Sequence, residues 1–218
     1  MTTTHPDAAE PAPAGTRRAR PHGKEPVGRE RILDAAAQLF VEQGYAATTT
    51  RQISSSVGIK QPSLYYHFPN KEAMLVELLV ATAEPSVLAA RDMLADDSRT
   101  PIDRLLELIR FDVHLLASGA WNIGSLYLLP ETSAPACAAF RELRDELKDT
   151  YTALVRKAID ADEASAATDG HRAAALIFSL VEGVILRRND EPDLSAEDVA
   201  DDIEQATLLM LGATRPAA

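Results

Sequence analysis

Apolar residues recur along this chain at helical spacing, and this periodicity constrains the fold more than any other feature of the sequence. The first such stripe lies at i, i+1, i+4, i+7 and i+8 and consists of Ile32, Leu33, Ala36, Leu39 and Phe40. No segment alternates apolar and polar residues as a half-buried strand does, and no internal repeat or glycine-rich phosphate loop is present. The sequence therefore predicts an all-α fold.

Later segments repeat this pattern. Asn70 is an N-cap candidate for a helix over residues 70–83, which would link the two parts of the chain. Further helices are predicted over Pro101–Ala117 and over residues 135–160, 169–186 and 193–211. Prolines at positions 85, 101, 130 and 135 are expected to separate helical segments, because proline lacks the N–H that a helix interior requires.

The chain is acidic overall, but its charge is divided unevenly. The 218 residues carry a net charge of −11, whereas residues 15–71 carry +5 and residues 72–218 carry −14. This division predicts an anion-binding module over residues 25–71 and a helical regulatory and dimerisation domain over residues 72–218. The acidic domain would be repelled by phosphate, so a single face of the molecule would approach DNA.

Residues 1–24 are rich in Pro, Ala and Thr, lack an apolar period and are predicted to be a disordered arm. Its basic residues cluster near its end and are Arg17, Arg18, Arg20 and Lys24. Two interpretations stay equally open. The arm is a solubilising tail, or it follows phosphates and enters an A·T-rich minor groove.

Several classes of protein are not supported by the sequence. No apolar run reaches the length of a membrane span, and the N-terminal residues lack the apolar core of a signal peptide. Cys137 is the single cysteine, which excludes an internal disulfide and favours a reducing, cytoplasmic compartment. Without paired catalytic carboxylates, a triad or a metal-ligand cluster, we expect no enzyme activity, no cofactor and no metal.

Two short helices, predicted over residues 50–57 and Gln61–His67, are joined by a turn at Gly58 and form a helix-turn-helix. The second helix of such a motif enters the DNA major groove. Its outward positions are polar or aromatic, and they are Lys60, Gln61, Ser63, Tyr66 and His67, while Leu64 and Phe68 face inward. Amide, hydroxyl and ammonium groups suit base edges and phosphates, whereas a helix packed inside a protein would present apolar residues.

Residues 57–71 read VGIKQPSLYYHFPNK, and from about Arg29 onward this part of the chain resembles the TetR family of bacterial transcriptional repressors. The remaining two thirds fits that family in length and helix content. The resemblance implies a homodimer on a palindromic double-stranded DNA operator, with Thr50 on a phosphate and Arg51 reaching a guanine. It implies that bases are faced by Gln61, Pro62, Ser63 and Tyr66. It implies that the DNA backbone is held by Tyr65, His67 and Lys71.

Four short segments resemble a subgroup of that family, the AmtR-type nitrogen-control repressors of actinobacteria. They are residues 84–86 (EPS), 121–124 (WNIG), 129–130 (LP) and 187–190 (RRND). This resemblance implies control of ammonium or urea uptake genes and release from DNA by a PII-type signalling protein. The alternative is a repressor of efflux or catabolic genes that a small apolar ligand releases.

Five side chains are candidates for the wall of an effector pocket, and they are Phe111, His114, Trp121, Asn122 and Tyr127. The competing interpretation makes the histidine a partly buried structural residue and the aromatic residues part of the core.

Apolar stripes on two later helices are candidates for a four-helix dimer interface. The first stripe is Phe140, Leu143, Leu147 and Leu154, and the second is Ala173, Ile177, Leu180 and Val184. The competing interpretation buries these stripes within one subunit.

Overall fold

The computed structural model describes residues 28–165, 169–191 and 193–214, and the regular elements in these ranges are all helical. The α-helices are α1 (Arg29–Gln43), α2 (Thr50–Ser56), α3 (Gln61–His67), α4 (Lys71–Ala95), α5 (Pro101–Ala117), α6 (Ala138–Asp160), α7 (Gly170–Glu182), α8 (Val184–Asp190) and α9 (Ala196–Leu211). Three short 3₁₀ helices connect α5 to α6, at Ile123–Leu128, Pro130–Ser133 and Pro135–Cys137. We refer to residues 123–137 as the 3₁₀ segment. The predicted all-α fold is confirmed.

The helix ends of the N-terminal module follow from local features of the sequence, and the predicted cap at Asn70 and turn at Gly58 are confirmed. Thr49 begins α2 with a capping box, in which Thr49 and Gln52 each accept a hydrogen bond from the other's backbone N–H. Asn70 caps α4 by accepting the N–H three residues further on, at 2.7 Å. Gly44 and Gly58 follow α1 and α2 with φ angles of 90° and 73°, where a side chain would be strained.

Helix α4 is longer than predicted, because it continues for 25 residues with Pro85 inside it. The expected end near residue 83 is therefore wrong. Pro85 cannot donate a hydrogen bond to the carbonyl of Ala81, which destabilises a helix interior. The adjacent Ser86 and Val87 are buried among α5–α9, which together with the second half of α4 we call the body, so tertiary packing holds the helix together across the proline.

By length and composition α4 also meets the criteria for a membrane span, with a mean hydropathy of 1.6 over its most apolar window. In the structure, 44% of that window is buried inside the protein. The helix packs there against α1, α5, α6 and the 3₁₀ segment. The apolar core helix of a globular protein passes the same test, so this helix is weak evidence for a span.

Three later boundaries differ from the prediction. The single helix expected over residues 169–186 is divided at Gly183 into α7 and α8. The helix expected over residues 135–160 begins with a 3₁₀ turn and becomes α-helical only with α6. Helix α9 starts later than expected because Ser195 caps it by accepting a hydrogen bond from the N–H of Asp198.

The hydrophobic core consists of two clusters, and α4 contributes to both. The first cluster joins α1, α2 and α3 to the first half of α4, and Leu126, Cys137 and Phe140 extend it into the 3₁₀ segment and α6. The second cluster joins the remainder of α4 to α5, α6, α7, α8 and α9. The N-terminal module and the body are therefore connected by a continuous helix and by the packing of the 3₁₀ segment on the module.

A carboxyl–phenol pair is buried in the second cluster. Tyr151 Oη donates to Asp112 Oδ2 at 2.8 Å, and Asp112 is only 2% exposed. Its other oxygen, Oδ1, has no hydrogen-bond partner among the described residues. Burial raises the pKa of Asp112 to about 6, although the nearby hydroxyls of Ser86 and Tyr151 act to lower it.

The raised pKa predicts how stability depends on pH. Because the folded state binds the Asp112 proton more tightly than the unfolded chain, the contribution of Asp112 to stability falls as pH rises from about 4 to about 6. Asp112→Asn removes this ionisation, so the variant should gain up to about 3 kcal/mol on the wild type between pH 4 and pH 7. Thermal or urea unfolding at several pH values measures the difference.

Asp149→Asn is the matched control, because Asp149 lies at an exposed position on α6. Measured at the same pH values, it separates the effect of the buried carboxyl from that of removing any one carboxylate. A constant difference between Asp112→Asn and the wild type would contradict the prediction.

Candidate nucleic-acid interface

Helices α2 and α3 form the predicted helix-turn-helix, and their few apolar residues hold them on the module. Ile53 of α2 and Leu64 of α3 are fully buried, as is Phe68 at the end of α3. Leu64 and Phe68 face inward as predicted. Because these three positions supply the packing, the remaining side chains of α3 are available to a partner.

The outer face of α3 is polar and aromatic. Tyr66 is 87% exposed and Tyr65 is 48% exposed, values that are high for large aromatic side chains. The other exposed candidates on this face are Arg51, Lys60, Pro62 and Ser63, while Thr50, Gln61 and His67 are half-buried. All of the predicted contact residues from Thr50 to His67 therefore have some surface on one side of the module.

The Thr50 hydroxyl connects α2 to α3. Gln61 Nε2 donates to Thr50 Oγ1 at 3.3 Å, and Tyr65 Oη lies 3.1 Å from the same oxygen. The rings of Tyr66 and His67 meet edge to face, with centroids 5.3 Å apart. These contacts hold the amide and the aromatic side chains in defined positions before DNA is present, which lowers the entropy lost on binding.

Lys71, which is expected to hold the DNA backbone, also has contacts inside the module. Its Nζ donates to the carbonyls of Tyr45 and Thr48 at 2.6 Å and 2.8 Å, and it lies 4.1 Å from the centre of the Tyr45 ring. Burial lowers the pKa of Lys71. The ammonium group is thus bound inside the module, a contact that sequence spacing could not reveal.

Arg29 is a second cation that the module uses internally. It pairs with Glu77 of α4, and its guanidinium group lies 4.4 Å from the centre of the Phe68 ring. The predicted basic arm, with Arg17, Arg18 and Arg20, lies outside the described residues.

The five candidates for an effector pocket do not converge on one cavity, so that prediction is wrong as a set. Phe111 and His114 lie on the outer side of α5, where the His114 side chain is 45% exposed and its Nε2 lies 3.0 Å from Glu197 of α9. The competing interpretation, which makes His114 a partly buried structural residue, is also wrong, because this side chain is exposed. The helical period placed these residues on a helix but could not show that α9 covers only part of that face.

The other three candidates lie near the 3₁₀ segment and have structural contacts. Asn122 is buried, and its Nδ2 donates at 2.8 Å to the carbonyl of Ile185 and to Asn189 Oδ1. Tyr127 Oη donates to Thr82 Oγ1 at 2.9 Å. Trp121 packs against the first core cluster.

Arg188 holds the same region from α8. Its guanidinium group donates to four carbonyls in and just after the last turn of α5, those of Leu116, Ser118, Gly119 and Trp121. Arg188 thus caps the C-terminal end of α5 from a different helix. The charge of Arg188 is evident from the sequence, but its long-range partners could not be predicted from it.

Cavities in the described part of the body are small or open. A cavity beside Asp112 and Tyr127 has a volume of about 20 Å³, enough for one water molecule. An open groove of about 460 Å³ lies between α1 and the body, with Asp34 on one side and Trp121 and Arg188 on the other. No group of three or more metal-ligating side chains occurs in the described ranges.

Most residues of the two stripes predicted to form the dimer interface are buried within the subunit. As a set, that prediction is therefore wrong. Six of its members are at most 7% exposed, and they are Phe140, Leu147, Leu154, Ala173, Ile177 and Val184. Leu143 is half-buried against the core, and Leu180 is 41% exposed. The period identified the apolar face of each helix correctly, but that face packs on neighbouring helices of the same chain.

Other leucines of the body are exposed instead. Leu176 and Leu180 lie one turn apart on α7 and are 49% and 41% exposed. Leu128 and Leu186, at 64% and 54%, line a groove of about 230 Å³ beside them. The sequence signal that could have found them is an apolar residue on the side of a helix opposite its main stripe.

Comparisons with known proteins agree with this geometry. The family model described as bacterial regulatory proteins, tetR family, matches residues 32–78. The HTH-type transcriptional repressor KstR2 of Rhodococcus jostii is 40% identical over 80 residues, which cover 36% of this chain and 39% of the relative. This chain thus matches less than half the length of that relative.

Two further comparisons extend over most of the chain. The HTH-type transcriptional regulator TtgR of Pseudomonas putida is 26% identical over 183 residues, 81% of this chain and 86% of the relative. The crystal structure of Mycobacterium smegmatis AmtR is similar with a TM-score of 0.79 and 36% identity, covering 90% of this chain and 92% of that one.

The geometry of α3 predicts the effect of removing its amide. Gln61→Ala should weaken binding by about 1–3 kcal/mol per half-site and relax the preference at one base pair, because a bidentate amide contact discriminates between bases. DNA sites selected by the wild-type protein from a random pool, followed by titration of single-base variants, measure both effects.

Gln38→Ala on α1 is the control, because its side chain bonds to Glu42 on α1 and not to α2 or α3. It should bind like the wild type. Equal binding by the wild type and a Gln61→Ala, Tyr66→Ala double variant would contradict the assignment of α3 as the recognition helix.

Proposed function

Because this chain belongs to the TetR family of bacterial regulatory proteins, we propose that it is a transcriptional repressor that binds a palindromic DNA operator as a homodimer. The observation that carries this proposal is the outer face of α3, where Tyr65 and Tyr66 are exposed beside polar side chains while every apolar anchor of the helix is buried. A helix with this distribution matches the needs of the major groove.

Each side chain of the outer face has a proposed role. Gln61, Pro62, Ser63 and Tyr66 read bases, and Arg51 reaches a guanine. Thr50, Lys60, Tyr65 and His67 approach the DNA backbone. The Thr50 contacts to Gln61 and Tyr65 support this division, because they hold a base-reading group and a backbone group at a fixed separation.

The operator requires a dimer, because one short helix reads too few base pairs for a useful site. The exposed leucines of α7 and α8, Leu176, Leu180 and Leu186, are the proposed centre of the interface, with Leu128 at its edge. Burial of exposed apolar surface is what makes a homodimer interface stable.

Release from DNA is proposed to act through α4. An effector that binds one arrangement of the body better than another changes the spacing of the two recognition helices, because α4 is packed in both core clusters. An operator-binding dimer holds these helices about one DNA turn, roughly 34 Å, apart.

The regulated genes are proposed to be those of nitrogen uptake and assimilation. The support is the resemblance of four short segments to AmtR-type repressors, together with 36% identity to Mycobacterium smegmatis AmtR over most of both chains. A PII-type protein is the proposed trigger. The cavity of about 20 Å³ beside Asp112 and Tyr127 is too small for a small-molecule effector, which supports a protein trigger over a ligand bound at that place.

One observation favours the alternative, a repressor of efflux or catabolic genes that a small apolar ligand releases. The groove of about 460 Å³ between α1 and the body has the volume of a ligand site and is lined partly by apolar side chains, among them Leu115, Trp121 and Ile123. A ligand there would contact the DNA-binding module and the body together.

The trigger is tested by release of a labelled operator. A purified PII-type protein, in modified and unmodified forms, is compared with a panel of small nitrogen metabolites and a panel of apolar ligands. We expect release by one PII form, with about 1.4 kcal/mol of preference for the DNA-free state for each tenfold loss of operator affinity. Release by a small ligand alone would favour the alternative.

The interface is tested by charge substitution. Leu180→Arg should convert the dimer to a monomer in light scattering and lower operator affinity about tenfold or more, since a buried unpaired charge destabilises an interface. Leu88→Arg on α4 is the matched control, because Leu88 is 52% exposed outside the proposed interface. A dimer that survives Leu180→Arg unchanged would place the interface elsewhere.

A further inference from the structure

Two short segments that lie far apart in the sequence meet in the structure. They are residues 121–124 (WNIG), which lead into the 3₁₀ segment, and residues 187–190 (RRND) at the end of α8. Asn122 Nδ2 donates to Asn189 Oδ1 at 2.8 Å, and Arg188 donates to backbone carbonyls between α5 and the 3₁₀ segment. We call residues 121–124 and 187–190 together the clamp.

The contact between the two halves of the clamp is close. Asn122 is 8% exposed, and its amide group also donates to the carbonyl of Ile185 in α8 at 2.8 Å. A Cβ atom on Gly124 would lie 2.9 Å from Ile185 Cγ1, so the absence of a side chain at this position allows the approach. The start of the 3₁₀ segment is therefore held on α8 by hydrogen bonds and by packing.

The opposite side of the 3₁₀ segment packs on the DNA-binding module. Leu126 is 2% exposed and belongs to the first core cluster, and Trp121 and Ile123 pack against that cluster. The segment contacts both α1 and α4. Because the clamp holds this segment on α8, the body has a second connection to the module in addition to α4.

Helix α4 has a weak point between its two clusters. Leu79 lies in the first cluster and Val87 in the second, and Pro85 lies between them, where a helix bends readily because its hydrogen bonding is interrupted. Thr82 Oγ1 donates to two carbonyls of the preceding turn, which also favours bending. Tyr127 Oη of the 3₁₀ segment donates to the same Thr82 oxygen at 2.9 Å. The 3₁₀ segment thus supports α4 where the helix bends most easily.

We propose that Asn122 and Arg188 are positioning residues for DNA binding, which fix the angle between the module and the body by holding the 3₁₀ segment on α8. This inference rests on the proposed function as a dimer on a palindromic operator. Both residues act through the 3₁₀ segment, and neither belongs to α2 or α3. In a dimer this angle sets the separation of the two recognition helices, so the clamp determines which half-site spacing is accepted.

Half-site spacing distinguishes this role from a contribution to stability alone. On operators selected from a random pool, moving the half-sites by one base pair should cost the wild type about tenfold or more in affinity. Arg188→Met keeps the aliphatic stem but removes the donors, so the same change should cost this variant less than about threefold. The variant should bind the original spacing several-fold more weakly, because its modules must be ordered on binding. Its base preferences within each half-site should stay unchanged, because α3 is intact.

Arg187→Met is the matched control. It removes the same charge from the same helix, but Arg187 Nη2 donates within α8 to the adjoining Glu191, at 3.1 Å, and does not reach the 3₁₀ segment. This variant should keep the wild-type spacing preference, whereas Asn122→Ala should lose it through a different contact of the clamp. All affinities are measured well below the melting temperature of each variant, so that folded dimers are compared. A wild-type spacing preference in Arg188→Met and Asn122→Ala would overturn the proposal.

Hydrogen exchange in the wild-type protein provides a second test, which needs no folded variant. Coupling between two sites is reciprocal, so operator binding should hold the 3₁₀ segment more firmly. Exchange of peptides that cover residues 123–137 should slow several-fold when operator DNA is bound. Peptides that cover residues 157–164, at the far end of α6, should exchange at an unchanged rate. Unchanged exchange over residues 123–137 would overturn the proposal.

Trp121 allows the clamp to be tested without DNA. It is the single tryptophan of the chain and is half-buried against the module. Arg188→Met should shift its fluorescence emission to longer wavelength, because a released segment exposes the indole ring to water, whereas Arg187→Met should not. Failure of the wild type to bind any DNA would refute the proposed function, while an unshifted emission in Arg188→Met would refute the clamp itself.

Discussion

The structure depends on the burial of α4 in two separate hydrophobic clusters. Met74, Leu75 and Leu79 lie in the cluster of the N-terminal module, while Val87 and Ala90 lie in the cluster of the body. Because one continuous helix packs in both clusters, the module and the body are not joined by a flexible linker. The proline inside α4 is tolerated for the same reason, since the residues that follow it are held by the body.

The cations of the module show how a small domain gives a defined shape to its outer surface. Lys71 joins the start of α4 to the α1–α2 turn. Arg29 joins α1 to α4 through Glu77 and to the end of α3 through the ring of Phe68. Thr50 then fixes the relation of α2 to α3. With these contacts in place, the exposed side chains of α3 need little rearrangement to meet a partner.

Local features of the sequence were sufficient to predict the helices of the module, but they predicted less of how the helices of the body pack. Asn70 and Gly58 act within a few residues, so the cap and the turn were predicted correctly. The stripes on α6 and α7 predicted which faces are apolar but not what covers them, and neighbouring helices of the same chain bury Leu147 and Ile177. Contacts between distant residues, such as Arg188 with the carbonyls at the end of α5, leave no periodic signal and could not be predicted.

The reactivity of Cys137 reports on local opening between the 3₁₀ segment and the module. The thiol is fully buried where the 3₁₀ segment packs on the module, and burial raises its pKa, so the folded protein should resist alkylation. Reaction requires this joint to open, and the labelling rate therefore measures the free energy of that local opening. Since the chain contains one cysteine, the measurement follows the joint between module and body without any engineered probe.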